Sequence, residues 1–154
     1  MPVEYLEHFL IQTTDIEGTK DWYCKVLGFE VGPSPNFNFP VYWLYLGGKD
    51  VIHLTVGGKN TSENRKKYLG QQSDATHGSG VVDHMAFRCS DLDGMLARMK
   101  EHKVEFNERQ VNDQALYQVF LFDPNGVKIE LNFDSAEAEG HKAEVVAEEL
   151  EPAR

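Results

Sequence analysis

Residues His8–Thr13 mix apolar and polar side chains in a way that suits a strand with one face on a hydrophobic layer. Phe9 and Ile11 would take that face, leaving His8, Leu10 and Gln12 on the other. The period then changes. Asp15 reads as an N-cap, and Trp22, Tyr23, Val26 and Leu27 recur at helical spacing, predicting a helix of about eleven residues that Gly28 ends as a left-handed cap. Gly32-Pro33-Ser34-Pro35-Asn36 carries turn and loop chemistry, with two prolines that exclude a helix. Val41–Leu46 and Val51–Val56 read as strands of a hairpin turning through Gly47-Gly48-Lys49-Asp50. In the second of these, Ile52, Leu54 and Val56 share one face and Val51, His53 and Thr55 the opposite one.

Residues 57–80 lack strong strand patterning and read as a connection holding a short helix around Ser62–Leu69. Loops of this length in compact folds are often functional. Its Arg65, Lys66 and Lys67 are therefore candidates to meet an anionic substrate, against the alternative of a solvated helix face. After it the first order returns. Val82–Cys89 is a strand, Asp91 caps a helix with the stripe Leu92, Met95, Leu96 and Met99, and Val104–Phe106 resumes extended structure. Ala115–Phe122 and Val127–Phe133 are strands joined by the turn Asp123-Pro124-Asn125-Gly126. Ile129, Leu131 and Phe133 take the apolar face, and Lys128, Glu130 and Asn132 the other. Each half thus reads strand, helix, then two or three strands. The expected fold class is α+β, with two sheets that each carry helices on one face and a concave polar surface on the other.

The length of 154 residues suits one well-buried domain built of two modules. We divide it as a single domain over 4–134 (module one 4–57, connecting loop 57–80, module two 81–134) and an acidic tail over 135–154. A net charge of −10 argues against nucleic acid, which needs a basic patch. Half of that charge lies from Asp134 onward, where seven acidic residues stand against two basic ones. The tail has a short helical possibility in Ala143–Leu150, and is expected to be disordered or to cover a dimer surface. No apolar run approaches the roughly 20 residues of a membrane span, and MPVEYLEHF is not a signal sequence, so a cytoplasmic location is expected. Cys24 and Cys89 form neither a disulfide framework nor a close-spaced metal pattern. They read as buried thiols.

The repeat carries the candidate chemistry. Glu7-His8-Phe9-Leu10-Ile11-Gln12-Thr13-Thr14-Asp15 returns as Asp83-His84-Met85-Ala86-Phe87-Arg88-Cys89-Ser90-Asp91. His53 follows His8 by 45 positions, and Glu130 follows His84 by 46. A single strand histidine is usually a satisfied polar residue, and Lys128 could neutralise Glu130. Four such side chains at two repeat-related pairs of positions, all on the polar faces, instead suggest a metal site. Imidazole with carboxylate suits Fe, Mn, Co, Ni or Zn. The candidate metal ligands are His8, His53, His84 and Glu130, with Glu130 and His53 as candidate catalytic residues. Arg88, Phe120, Asn132, Tyr42 and Thr55, together with Phe37, are candidates to line a substrate. His77, His102 and His141 read as solvated.

The paired histidine strands, the phrase Trp22-Tyr23-Cys24-Lys25-Val26-Leu27-Gly28-Phe29 and the ending Phe122-Asp123-Pro124-Asn125-Gly126-Val127-Lys128-Ile129-Glu130 resemble the vicinal oxygen chelate superfamily over about residues 4–134. That group includes glyoxalase I, methylmalonyl-CoA epimerase, fosfomycin-resistance and bleomycin-binding proteins, and extradiol dioxygenases. The resemblance implies paired βαβββ modules forming a cup around one divalent ion that a small-molecule substrate chelates through adjacent oxygens. It also implies a homodimer. His8, His84 and Glu130 match the first, third and fourth ligand positions, and His53 the second, where a glutamate stands in glyoxalase I and a glutamine in the epimerase. Three activities follow from it. The first is a glyoxalase or epimerase type of lyase or isomerase. The second is a ring-cleaving iron dioxygenase, whose pattern has a tyrosine where this chain has Phe120 and a further histidine where Arg109–Asn112 has none. The third is a metal-free drug-binding protein. The first is the expectation.

Overall fold

The computed structural model describes residues 2–70 and 75–150, so Gln71–Asp74 of the connection and Glu151–Arg154 of the tail lie outside the described residues. Two compact units divide the chain, Met1–His77 and Gly78–Arg154.

Unit 1 runs β1 (Phe9–Thr13), α1 (Ile16–Leu27), β2 (Glu30–Gly32), β3 (Val41–Leu46) and β4 (Lys49–Val56), then a 3-10 turn at Gly58–Asn60 and α2 (Glu63–Leu69). Its sheet has the order β1-β4-β3-β2, with β1 parallel to β4 and the remaining pairs antiparallel. Asp15 accepts from the Gly18 amide as N-cap of α1, and Gly28 closes the helix at φ 78°. The helix buries Thr19, Tyr23 and Val26. Leu44, Ile52 and Leu54 from the sheet are buried as well, each contributing about 1.5–3 kcal/mol by leaving water. The β3–β4 turn is Gly47-Gly48, both at positive φ, as a two-residue hairpin of this hand requires.

Unit 2 repeats the plan with β5 (His84–Arg88), α3 (Leu92–Glu101), β6 (Phe106–Val111), β7 (Leu116–Phe122) and β8 (Lys128–Asp134). Its order is β5-β8-β7-β6, extended at the far edge by β9 (Val145–Val146). Leu92, Leu96 and Met99 of α3 are buried, as are Tyr117, Val119, Leu121, Ile129, Leu131 and Phe133 of the sheet. Asp91 accepts from the Gly94 amide as Asp15 does from Gly18. In both helices a Cβ on that glycine would stand 2.2 Å from the capping carboxylate, which would have to shift to admit it, so the repeated Asp-x-x-Gly fits this rotamer of the cap. The fold is α+β, two βαβββ modules in sequence.

Three local expectations are corrected. The tail through Leu150 is part of unit 2. Val145–Val146 pairs with β6, Ala138, Ala143 and Val146 are buried, and a 3-10 turn rather than an α-helix spans Ala147–Glu149. Its acidic residues serve as backbone acceptors: Glu137 takes the amides of Asp91 and Leu92 at the start of α3, and Glu148 takes that of Asn112. The extended run beginning at Val104 reaches Val111, because β7 and β9 on either side supply partners for the polar sequence Asn107-Glu108-Arg109-Gln110. Finally, Arg65 on α2 is neither a solvated nor a substrate-facing cation. It is buried, and its guanidinium donates to Gln12.

Candidate functional site

Strand register decides which side chains share a face. In unit 1 the parallel β1–β4 pairing sets Leu10 opposite His53, and the antiparallel β3–β4 pairing sets Trp43 opposite His53 and Val41 opposite Thr55. His8, one residue before β1, falls on the same face by alternation. Its ring stacks on His53 with centroids 3.8 Å apart, and Trp43 stacks on the other side of His53 at 4.0 Å. His53 is therefore a buried imidazole held between two rings, 7% exposed. Its Nε2 lies 2.7 Å from Asp50 Oδ2.

That last contact depends on an irregularity. Residues three apart on a regular strand point to opposite faces. The register slips between Leu44 and Tyr45, with Leu44 opposite Ile52 and Tyr45 opposite Asp50, leaving Val51 as the extra residue. This bulge turns Asp50 onto the face of His53. Burial lowers the His53 pKa below its ordinary value, with the Asp50 hydrogen bond opposing, and the imidazole in turn lowers that of Asp50.

In unit 2 the corresponding pairing sets His84 opposite Lys128, Ala86 opposite Glu130 and Arg88 opposite Asn132, with Phe120 opposite Glu130 and Gln118 opposite Asn132 on β7. Two residues separate each histidine from the strand position facing the second donor: His8 to Leu10 against His53, and His84 to Ala86 against Glu130. His53 and Glu130 thus occupy equivalent nodes. Lys128 does not neutralise Glu130. It pairs with Asp83 at 2.6 Å, and Asp83 also meets His84 Nδ1 at 2.7 Å, so its carboxyl is held below the usual range by the imidazole first and the ammonium second. Glu130 instead accepts from Asn132 Nδ2 at 2.8 Å, while Asn132 accepts from Gln118 Nε2 at 3.0 Å. Phe120 meets the His84 ring edge-on with centroids 6.1 Å apart.

Glu130 Oε1 and His84 Nε2 face each other at 3.6 Å, beyond hydrogen-bonding distance. A carboxylate can only accept, so in the tautomer that donates Nδ1–H to Asp83 the His84 lone pair lies on Nε2, facing Glu130. Two lone-pair donors then converge with no proton between them, an arrangement suited to a cation. Donors bonded at about 2.1 Å to one ion stand at most about 4.2 Å apart, so this pair fits a metal without rearrangement. Among the described residues no group of three or more His, Cys, Asp or Glu is gathered to hold an ion. The donors come as one pair in each unit.

The other candidates separate clearly. Arg88 is exposed on the Glu130 face, and Phe120 and Asn132 share it. Thr55 is on the His53 face but buried, its hydroxyl donating to the Pro40 carbonyl. Tyr42 is a correction: it lies opposite Leu54 on the helix-covered side, donating to Glu17 of α1, because alternation along β3 gives the polar face to Val41 and Trp43. Phe37 stacks on Phe39 at 5.2 Å, meets Tyr68 at 4.9 Å and approaches Trp43 at 6.4 Å, continuing the run of rings that starts at His8. His77, His102 and His141 are exposed. Sequence reasoning missed Glu7, Asp50, Asp83, Trp43 and Gln118. An acidic residue directly before each repeat histidine was a visible signal for two of them. The bulge that aims Asp50 left none.

Paired βαβββ modules, each placing two candidate donors at equivalent register positions, define a class of duplicated proteins. A model of the Glyoxalase/Bleomycin resistance protein/Dioxygenase superfamily matches residues 5–131, and the chain belongs to that superfamily. It is 25% identical over 134 residues to the uncharacterized protein YaeR of Escherichia coli (strain K12), covering 84% of this chain and 95% of YaeR. The fold is shared with lactoylglutathione lyase from Agrobacterium tumefaciens, with a TM-score of 0.62 at 15% identity, covering 88% of this chain and 98% of that one. It is also shared with a variant of the fosfomycin resistance protein FosX from Listeria monocytogenes complexed with Mn(II) and 1S,2S-dihydroxypropylphosphonic acid. There the TM-score is 0.61 at 16% identity, covering 85% and 92%. Among the described residues no helix is long and apolar enough to cross a membrane.

Proposed function

We propose that the protein is a divalent-metal-dependent enzyme of the glyoxalase or epimerase type, a lyase or isomerase acting on a small substrate with two adjacent oxygens. The observation that carries this reading is the His84–Glu130 pair, two facing lone-pair donors 3.6 Å apart with Glu130 oriented by the Gln118–Asn132 amides. His8, His84 and Glu130 would hold the ion, with His53 as a fourth donor or as a base. A bound divalent ion of the Fe, Ni, Co, Mn or Zn group supplies Lewis acidity toward a substrate carbonyl. The protein's own part is proton transfer. His53 accepts a proton from the carbon beside the carbonyl, and Asp50 on its far nitrogen steadies the imidazolium. Its lowered pKa keeps the ring neutral and able to accept at pH 7. Arg88, on the face of Glu130, is suited to an anionic group of the substrate. We expect a homodimer, with the four donors drawn from one chain or from two.

A second reading, a binding protein that sequesters a planar compound, is favoured by the ring run His8, His53, Trp43, Phe37 and Tyr68. Ring cleavage is disfavoured by Phe120, an apolar ring directly opposite Glu130 in register. Elemental analysis of protein purified without chelator separates enzyme from binder. One divalent ion per site together with turnover of a methylglyoxal–thiol adduct is the expected result. Absence of metal uptake would refute the enzyme, and oxygen consumption with a catechol would reverse the order of the chemistries.

A further inference from the structure

Each of the three histidines has a carboxylate within hydrogen-bonding distance of one ring nitrogen, and it is not the same nitrogen in all three; Glu130, 3.6 Å from His84 Nε2, stands beyond that distance. Glu7 Oε1 lies 3.0 Å from His8 Nδ1, and Asp83 Oδ2 lies 2.7 Å from His84 Nδ1. Asp50 Oδ2 lies 2.7 Å from His53 Nε2. A neutral imidazole carries one N–H, and an ionised carboxylate must receive it. The nitrogen hydrogen-bonded to the carboxylate therefore holds the proton, and the lone pair moves to the other.

We infer that Glu7, Asp83 and Asp50 are positioning residues that sort the three histidines into two tautomers. His8 and His84 carry Nδ1–H and present the Nε2 lone pair to a metal ion. His53 carries Nε2–H and keeps its Nδ1 lone pair for a substrate proton. The metal-directed half of this inference rests on the function proposed above, whereas the tautomer assignment stands on the contacts alone. Secondary structure explains why the two repeat copies agree. Glu7 precedes β1 and Asp83 precedes β5, so neither is bound by the alternation that sends neighbouring strand side chains to opposite faces. Each can swing its carboxylate along the ring that follows it. Asp83 is further pinned by Lys128, which faces His84 across the β5–β8 pair. Asp50 reaches its histidine by the bulge at Val51, so the opposite tautomer has a separate structural origin. Carboxylates behind metal-bound imidazoles typically change affinity by 10–100-fold when removed, by fixing ring orientation and tautomer.

The test is long-range proton–nitrogen NMR of the ring nitrogens in the metal-free chain, above the ordinary imidazole pKa of about 6.5, with zinc titration calorimetry alongside. His8 and His84 should appear as Nδ1–H and His53 as Nε2–H. Glu7→Ala should release only His8, and Asp83→Ala only His84. Each should weaken zinc by about 10–100-fold. Asp50→Ala should release only His53 and leave zinc affinity unchanged. Both Glu7 and Asp83 are exposed, so their variants keep the fold, which the unchanged backbone amide spectrum would verify. A wild-type His84 or His8 found as Nε2–H, or one tautomer shared by all three rings, overturns the inference. So does an Asp83→Ala protein with unchanged tautomer and zinc affinity. Correct tautomers in a chain that takes up no zinc would instead sink the metal reading and leave the sorting intact.

Discussion

Units 1 and 2 share the order of four strands, helix placement and the register of β1 on β4 and β5 on β8, yet the same node holds His53 in one and Glu130 in the other. Around His53 the surroundings are aromatic and buried: the ring lies between His8 and Trp43, and burial lowers its pKa against the opposing Asp50 hydrogen bond. Around Glu130 they are polar, with Asn132 and Gln118 forming an amide chain and His84 standing edge-on to Phe120. An ionised carboxylate needs hydrogen-bond donors to be tolerated when partly buried, whereas a neutral imidazole tolerates stacking between rings. The two units thus offer equivalent positions with different neighbours, amide donors around Glu130 and aromatic rings around His53.

The sharpest way to break this comparison is to remove the donors of unit 2. Glu130→Gln and His84→Ala should each abolish stoichiometric metal uptake, measured by elemental analysis after dialysis. His77→Ala, His102→Ala and His141→Ala should retain it, and equal retention in all five would reject the site. Core equivalence comes next. Ile52 faces Phe9, and Ile129 faces Met85, at matching places in the two sheets, and both are essentially buried. Ile52→Ala and Ile129→Ala should each cost about 2–5 kcal/mol in urea denaturation. A loss confined to one variant would show that the repeat is not energetically symmetric.

Smaller effects probe where the halves differ by design. Glu137 adds acceptors to the first turn of α3, on top of the Asp91 cap, so Glu137→Ala should cost about 1 kcal/mol. Least in energy is a thiol test. Burial pushes the Cys89 thiol up to about 11, and raises Cys24 as well. Because only the thiolate reacts, Cys89 should label slowly with a maleimide at neutral pH and accelerate as pH rises toward 11. Both thiols are half-buried rather than buried as expected, and rapid labelling of Cys89 at pH 7 would contradict its raised pKa.

Much of this was legible along the chain because it is periodic. Alternation placed His53 on one face of β4 and Glu130 on one face of β8, and helical spacing with Asp15 and Asp91 located α1 and α3. Tyr42 was misplaced because only the register of β3 against β4 shows which of two aromatic neighbours, Tyr42 or Trp43, lies opposite His53. The ordered tail was missed because its acidic composition resembles a solvated segment, while its stability comes from the α3 amides and the β6 edge, which are distant in sequence.

Sequence by itself determined the duplicated plan of strand, helix and further strands and the repeat relation of four candidate donors, since both follow from period and spacing within a few tens of residues, and its motifs carried the superfamily resemblance. Tertiary structure alone decided the partners of those donors. Lys128 turned to Asp83 rather than Glu130, Trp43 closed over His53, and one extra residue in β4 brought Asp50 to its nitrogen. Such contacts depend on how strands align and where a ladder slips, and a sequence pattern of period two contains neither.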